Sequence, residues 1–131
     1  MNLVSWNCKG PGGSVKVEAL NNIINTEKPD FFLIQETKIP EDEVLNRSSL
    51  FWKHSARKAI NSGGASGGIA TFCKADIFII NSTKENAHWL LVEVQNKSNQ
   101  EMIYICNVYG PTHYREKMDF LDSLLSLKAD L

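Results

Sequence analysis

Three polar side chains in this sequence stand where an apolar run, predicted to be a strand, gives way to a loop. They are Asn7, Glu36 and Tyr109. The ends of neighbouring strands meet at one edge of a sheet, where a rigid scaffold commonly holds catalytic groups. A glutamate carboxylate and an asparagine carbonyl are oxygen ligands that suit a hard divalent cation such as Mg²⁺. A tyrosine hydroxyl can donate a hydrogen bond to a phosphoryl oxygen as negative charge builds there.

Each of these residues also has an ordinary structural interpretation. A glutamate at the end of a strand is commonly just solvated, and Asn7 shortly before Gly10 and Pro11 can simply shape a turn. Tyr109 can be a core aromatic whose hydroxyl reaches water. No single residue predicts a site, and the hypothesis depends on the three together.

The elements that must position these residues follow from the hydrophobic pattern. Apolar residues at helical spacing predict one helix that Ser14 caps and Pro29 ends, and a second over 41–49. A closing helix after Thr112 is predicted to bury Met118, Phe120, Leu121, Leu124 and Leu125. The predicted strands are 2–6, the apolar run 31–34, and then 50–54, 67–73, 76–81, 88–95 and 101–109, with a hairpin loop at 96–100.

This order predicts an α+β fold built on a mixed, mostly antiparallel sheet with helices on one face. The helices cover that face. No other predicted element covers the opposite face of the sheet, so we expect that face to need a partner.

The bulk properties limit the classes of function. The chain of 131 residues has the length of one domain, and its net charge of −1 gives no overall attraction to nucleic acid or anionic lipid. Its three cysteines are odd in number and far apart, which favours reduced, mostly buried thiols in an intracellular protein. The apolar runs are too short to span a membrane, and the N-terminus gives no sign of a signal peptide.

Four short motifs occur in an order that resembles the endonuclease/exonuclease/phosphatase superfamily. The most specific is Gln35-Glu36-Thr37-Lys38; the others are Ser5-Trp6-Asn7-Cys8, Gly67-Gly68-Ile69-Ala70 and Asn107-Val108-Tyr109-Gly110-Pro111. The opening and the last motif look most like the endonuclease domains of plant long interspersed (non-LTR) retroelements, and the superfamily includes abasic-site endonucleases. The resemblance covers the whole chain. It implies that the predicted sheet is half of a four-layer α/β/β/α sandwich.

The resemblance also implies roles for individual residues. Asn7 and Glu36 would help to place a Mg²⁺ or Mn²⁺ ion, and Tyr109 would contact the phosphate or its leaving oxygen. Gln35 and Lys38 would hold Glu36 in position without contacting the metal ion themselves.

Two further positions enter through the same resemblance. Gly67 and Gly68 would begin a strand near the site. Thr112 stands where the family often has an asparagine, which makes it only a possible DNA contact.

Two motifs that the family places in its second half are missing from this sequence. No Asp-x-Asn occurs, and none of His54, His88 and His113 follows an aspartate. We therefore expect residues 1–131 to be the N-terminal portion of one such domain, inactive alone. We also expect the exposed sheet face to self-associate or to require the missing half.

A basic stretch offers a possible contact with DNA, the partner that the resemblance implies. Lys53, Arg57 and Lys58 precede the Gly- and Ser-rich segment 61–66, so they can touch a DNA backbone at the rim of the site. The ordinary alternative is a solvated loop.

Two alternatives to an endonuclease stay open at this stage. One is a phosphatase of the same fold. The other is a non-catalytic remnant or interaction module, which the missing motifs favour for this polypeptide.

Overall fold

The computed structural model describes residues 1–9, 13–60, 68–111 and 114–131. Seven strands and three helices lie in these ranges. In chain order they are β1 (Leu3–Asn7), α1 (Gly13–Glu27), β2 (Phe31–Gln35), α2 (Glu41–Ser48), β3 (Ser55–Ile60), β4 (Ile69–Lys74), β5 (Phe78–Glu85), β6 (Trp89–Asn96), β7 (Met102–Val108) and α3 (Tyr114–Ala129).

The strands form two sheets and not the single sheet that the sequence pattern predicts. The first, sheet A, has the order β1-β2-β4-β3 and is mixed, because β1 and β2 run parallel and the other pairs antiparallel. The second, sheet B, is an antiparallel meander in the order β5-β6-β7. The α+β class is confirmed.

The two sheets pack face to face, so the apolar face that was expected to lie bare is covered within this chain. Phe31 of β2 lies 4.7 Å from Phe78 of β5 between ring centroids. The core between the sheets joins residues of both: Phe31, Ile60, Ile69 and Cys73 from sheet A with Phe78, Leu90, Val92 and Val94 from sheet B. The expectation of an uncovered sheet face is wrong, because the strands between residues 78 and 108 form a second sheet that packs on the first and buries that face.

The helices make the two outer layers. Helices α1 and α2 cover sheet A, where Leu20 and Val44 join a core with Phe32 and Phe72. Helix α3 covers sheet B through a stripe of Phe120, Leu124 and Leu127. The four layers α/β/β/α are therefore all present in the described residues, with helices on both outer faces and not on one.

The apolar face predicted for the closing helix is only partly correct. Phe120 and Leu124 pack as predicted, but Met118, Leu121 and Leu125 are exposed. Leu127, which was not predicted, is buried instead. The helix has apolar residues over more of its circumference than sheet B covers.

Most strand boundaries agree with the prediction, but β5 continues to Glu85, four residues beyond the predicted end at 81, and the strand predicted at 50–54 is displaced. Residues 50–54 form turns after α2, and the strand expected there begins at Ser55. The predicted hairpin at 96–100 is confirmed, with Asn96 N–H donating to the Glu101 carbonyl at 2.9 Å. The apolar run Leu50-Phe51-Trp52 explains the error, because Phe51 packs into the core beside Phe72 from a turn and Trp52 packs against the same core.

The three cysteines have no disulfide. Cys8 and Cys73 are buried and Cys106 is half-buried. Burial raises the pKa of the Cys73 thiol to about 11, so this thiol stays protonated and inert. Among the described residues, no helix is both long and apolar enough to cross a bilayer.

Candidate active site at the shared edge of the two sheets

Glu36 and Tyr109 come from different sheets and meet at one edge of the sandwich. Glu36 directly follows β2, and Tyr109 directly follows β7. The Tyr109 hydroxyl donates a hydrogen bond to Oε1 of Glu36. The Tyr109 backbone N–H donates to the His88 carbonyl at 2.8 Å, which continues the β6–β7 pairing and fixes the main chain at Tyr109.

Asn7 joins this pair from β1. It is the last residue of β1 and lies in parallel register beside Gln35 of β2. Its Oδ1 accepts a hydrogen bond from the Lys9 backbone N–H at 3.2 Å, and its side chain lies close enough to the Glu36 carboxylate to lower the pKa of that group. The structure therefore brings together Asn7, Glu36 and Tyr109, which are remote in sequence.

The contacts set the protonation states of the site. The hydrogen bond from Tyr109 lowers the pKa of Glu36 and outweighs the opposing effect of burial, and the Asn7 side chain and the charges of Lys38 and Lys9 lower the pKa further. The same hydrogen bond raises the pKa of Tyr109. At neutral pH the site holds a carboxylate that can bind a cation and a phenol that can donate a proton.

The loop that carries Glu36 has an unusual backbone. Glu36 and Lys38 have φ angles of 56° and 59°, in the left-handed region that side chains with a Cβ seldom adopt. Such conformations persist only where the surroundings enforce them, and they concentrate at functional sites. This backbone turns the Glu36 side chain toward Tyr109.

Gly68 helps to enforce that backbone. The Thr37 N–H donates to the Gly68 carbonyl at 3.2 Å, and a Cβ added at Gly68 would lie 2.0 Å from Thr37 Oγ1. Gly68 itself has a φ of 92°, which favours glycine. Thr37 is buried, and its Oγ1 has no hydrogen-bond partner within the described ranges. Gly68 thus precedes β4 next to the site, as the sequence predicted, while Gly67 lies outside the described residues.

The two residues expected to support Glu36 act differently from one another. Lys38 is exposed and acts on Glu36 through its charge. Gln35 is buried and turns its amide away from Glu36, donating to Ser5 Oγ at 3.0 Å and to Asn107 Oδ1 at 2.8 Å. Gln35 therefore supports the site through the contact between the sheets.

Sequence reasoning missed Asn107, which is fully buried. A signal was available. In β7 the residues facing sheet A alternate as Ile103, Ile105, Asn107 and Tyr109, and a polar residue in an inward row must find buried partners.

The structure does not place the proposed DNA-contact residues Lys53, Arg57 and Lys58 around Glu36. They lie along or before β3, the edge strand of sheet A on the side away from β1. Lys53 lies three residues before Ala56, which is level with Phe31 at the start of β2, so Lys53 is at the end of the sheet far from Glu36. Lys58 lies nearer, in register with Thr71. Thr112 falls outside the described residues.

Arg57 links the end of helix α2 to strand β3. Its guanidinium donates to Ser48 Oγ, to the Leu45 carbonyl at 3.4 Å and to the Lys53 carbonyl at 3.0 Å. These groups belong to the C-terminal end of α2 and the turn that follows it. Arg57 thus fastens the end of α2 to β3, since the last carbonyls of a helix lack partners within it.

The donors in the site match a hard divalent cation in kind. Glu36 offers an ionised carboxylate and Asn7 an amide oxygen, which are the ligand types that Mg²⁺ and Mn²⁺ take. Within the described ranges, no cluster of three acidic, histidine or cysteine side chains can hold a metal ion. The residues present therefore fit one part of a metal site.

Comparison with known proteins agrees with this geometry. The sequence profile of the endonuclease/exonuclease/phosphatase family matches residues 4–129. The chain belongs to this family. No curated protein sequence matches it closely enough to add a relative.

Solved structures show the family fold in this chain. It is similar to the AP endonuclease of Leishmania major (20% identity, TM-score 0.64, covering 84% of this chain and 40% of that one). It is similar to the 3′ phosphatase NExo from Neisseria, bound to a product DNA hairpin (14%, 0.70, 99% and 52%). It is also similar to the human Nocturnin catalytic domain (12%, 0.68, 96% and 59%). The chain thus spans between 40% and 59% of the length of these structures.

Proposed function

We propose that residues 1–131 are the N-terminal portion of a metal-dependent phosphodiester hydrolase domain of the endonuclease type. The observation that carries this proposal is the hydrogen bond from Tyr109 to an ionised Glu36, with Asn7 beside them. Three side chains from two sheets would have no structural need to converge at an exposed edge. Their convergence supports a site for phosphate chemistry.

A divalent ion, Mg²⁺ or Mn²⁺, completes the proposed chemistry, as enzymes of the family generally use divalent metals. When bound, it would neutralise charge on the phosphate. Glu36 would hold it through the carboxylate and Asn7 through the amide oxygen. Asn7 Oδ1 already accepts from Lys9 N–H, which leaves its second lone pair for the ion.

The Tyr109 hydroxyl would act on the substrate. Its raised pKa keeps the proton on the oxygen at neutral pH, so it can donate to a phosphoryl or leaving-group oxygen as charge develops. Substrate and metal would both compete for the Glu36–Tyr109 hydrogen bond. The Glu36–Tyr109 hydrogen bond would therefore form in the site without metal and substrate, and contacts to metal and substrate would replace it when they bind.

DNA is the substrate class that the comparisons favour. The neighbours include an AP endonuclease and a phosphatase bound to a DNA hairpin. We infer that DNA would lie over the Glu36 edge, with Lys58 as the nearer proposed contact, Lys53 and Arg57 as the remoter ones, and Thr112 as a further proposed contact. The motifs Ser5-Trp6-Asn7-Cys8 and Asn107-Val108-Tyr109-Gly110-Pro111 further support a plant retrotransposon endonuclease.

The chain alone is proposed to be inactive. It contains no Asp-x-Asn and no Asp-His sequence, and the loss of general-base assistance alone removes about 10²–10⁴ in rate. One carboxylate and one amide also bind Mg²⁺ weakly, since this ion dehydrates reluctantly.

Two strand edges support the need for a second half. Like the outer strands β3 and β5, β1 of sheet A and β7 of sheet B have no second neighbour within the described residues, and β1 and β7 are the pair that leads to Asn7 and Tyr109. Because β7 lies over β2 while β5 lies over β3, these two edges face the same side. We infer that the rest of the domain pairs there. Alone, the chain would self-associate through these edges, which sedimentation velocity tests by a concentration-dependent shift.

The direct test compares two polypeptides. One is residues 1–131, and the other continues into strands carrying the Asp-x-Asn and Asp-His motifs. With Mg²⁺ or Mn²⁺, the longer chain should cleave supercoiled or abasic DNA, the short chain should not, and Glu36→Ala should abolish the cleavage. An active longer chain that Glu36→Ala leaves unchanged would refute the proposed site.

A phosphatase of the same fold is the second candidate, favoured by the likeness to a 3′ phosphatase. DNA ending in a 3′-phosphate and inositol phosphates, given to the same longer chain, separate it from an endonuclease. A non-catalytic remnant is the third candidate, favoured by the missing motifs. Cleavage by purified residues 1–131, lost in Glu36→Ala, would exclude it.

A further inference from the structure

Asn107 is a polar side chain in the apolar layer between the sheets. It is 0% exposed and stands in the inward row of β7 after Ile103 and Ile105. From β7 it reaches across to sheet A. There its Nδ2 donates to the Ala70 carbonyl at 2.9 Å, to Thr71 Oγ1 at 3.2 Å and to the Ile34 carbonyl at 3.3 Å.

The other end of the Asn107 amide completes the contact. Its Oδ1 accepts from Gln35 Nε2 at 2.8 Å, and the same Gln35 nitrogen donates to Ser5 Oγ at 3.0 Å. The donors and the acceptor of Asn107 are therefore all used. A buried amide with partners on two strands of sheet A fits in one position only, because hydrogen bonds fail with small changes of distance and angle.

Apolar packing alone would not fix that position. The rest of the layer consists of aliphatic and aromatic contacts, which stabilise burial without a preferred direction. Sheets held only by such contacts can shift and repack at little cost, whereas a buried polar network selects one arrangement.

The placement of the network relative to the site gives it a function. Gln35 directly precedes Glu36, and Asn107 lies two residues before Tyr109 on the same face of β7. The Asn107–Gln35 contact therefore lies farther from the sheet edge than the Tyr109–Glu36 contact, by about 7 Å along β7. A change in the first contact moves the second.

We propose that Asn107 is a positioning residue whose hydrogen bonds to Gln35 and to β4 set the register of sheet B on sheet A and so bring the Tyr109 hydroxyl to Glu36. This inference rests on the proposed site but not on the reaction that the site performs. Asn107 touches neither the metal position nor the substrate.

Two variants and one control test the proposal in the unliganded chain. Asn107→Leu removes the network and leaves Gln35 Nε2 with only the Ser5 hydroxyl of its two partners. The double variant Gln35→Leu/Asn107→Leu replaces both ends with apolar side chains and protects against failure to fold. Ile105→Val, on the same face of the same strand, loosens packing and keeps every hydrogen bond of Asn107.

The readout is the proximity of Tyr109 to Glu36, measured by NMR as the nuclear Overhauser effect between the tyrosine ring and the glutamate γ-protons. The folded chain should show this cross-peak, and so should Ile105→Val. In folded Asn107→Leu, or in the double variant, it should disappear while the cross-peaks within sheet A between β2 and β4 persist. If the cross-peak survives in the double variant, whatever the loss of stability, Asn107 is only a stabilising residue and the proposal is overturned.

This test separates the inference from the proposed function. It uses no metal and no substrate, so a positive result stands even when the longer chain hydrolyses nothing. Conversely, an active longer chain whose double variant keeps the Tyr109–Glu36 cross-peak would retain the proposed function and refute the positioning role.

Discussion

The Tyr109 hydroxyl donates a hydrogen bond to the Glu36 carboxylate across the gap between the two sheets. The two residues are carried by β7 and β2, so the bond exists only when both sheets are formed and correctly placed. It links the packing of the fold to the ionisation of the site. Several measurable consequences depend on this link.

The stability of the chain should depend on pH through Glu36. Its pKa is lowered in the folded state from an ordinary value of 4.5, so its contribution is present above that value and is lost as pH falls through the folded pKa. Glu36→Gln should therefore flatten the fall in the urea midpoint between about pH 5 and pH 3. An unchanged pH dependence would contradict the contact.

Asp30 is the matched control for that measurement. Its pKa is also lowered, chiefly by the backbone N–H of Asn2 and further by Lys74, which lies 3.3 Å away. It stands at the start of β2, the opposite end from Glu36. Asp30→Asn should flatten the acid dependence in the same direction but leave metal binding unchanged.

Gly68→Ala should destabilise the chain by about 1–3 kcal/mol, since a methyl group there clashes with Thr37 and the backbone is left-handed. Gly110→Ala is the control, because its nearest neighbour is an ordinary contact at 3.4 Å to the Phe120 ring. Urea denaturation of both variants measures the difference. Equal stability of the two variants would refute the fit between Gly68 and the Glu36 loop.

Arg57 should prove more important for folding than for DNA. Arg57→Ala removes its hydrogen bonds to the end of α2 and should cost roughly 1–2 kcal/mol. Lys53→Ala, an exposed neighbour, should change the stability by less than about 0.5 kcal/mol. A stable Arg57→Ala chain that binds DNA more weakly would reverse this assignment.

The residues of the site could be found in the sequence because apolar strands end abruptly in polar groups. Phe31–Ile34 is an uninterrupted apolar run, and all of β2 proved to be buried. The adjoining Glu36 therefore had to lie at the edge of a covered sheet. The same reasoning placed Asn7 and Tyr109 at the ends of their strands.

The division into two sheets could not be found in the same way. Hydrophobic alternation identifies a strand and its two faces but not the strand that it pairs with. Alternation in β5 to β7 is equally compatible with extending sheet A or with covering it. The choice depends on long-range contacts such as Phe31 with Phe78, which the local sequence does not specify.

Asn107 and the loop at Glu36 escaped prediction for a related reason. An asparagine in a strand is locally unfavourable, and its buried partners on the other sheet, among them the carbonyls of Ile34 and Ala70, explain it. The left-handed angles of Glu36 and Lys38 likewise depend on Gly68, which is remote in sequence.

The most direct test of the proposed site is a Mn²⁺ titration followed by ¹⁵N NMR, because the paramagnetic ion broadens the signals of nearby residues. An alternative place for the ion to bind is the acidic first turn of α2, Glu41, Asp42 and Glu43. Asn7, Glu36 and Tyr109 should broaden first, at millimolar Mn²⁺ in keeping with weak binding, and Glu36→Gln should abolish this. Broadening that centres on the first turn of α2, or that Glu36→Gln leaves unchanged, would contradict the metal site.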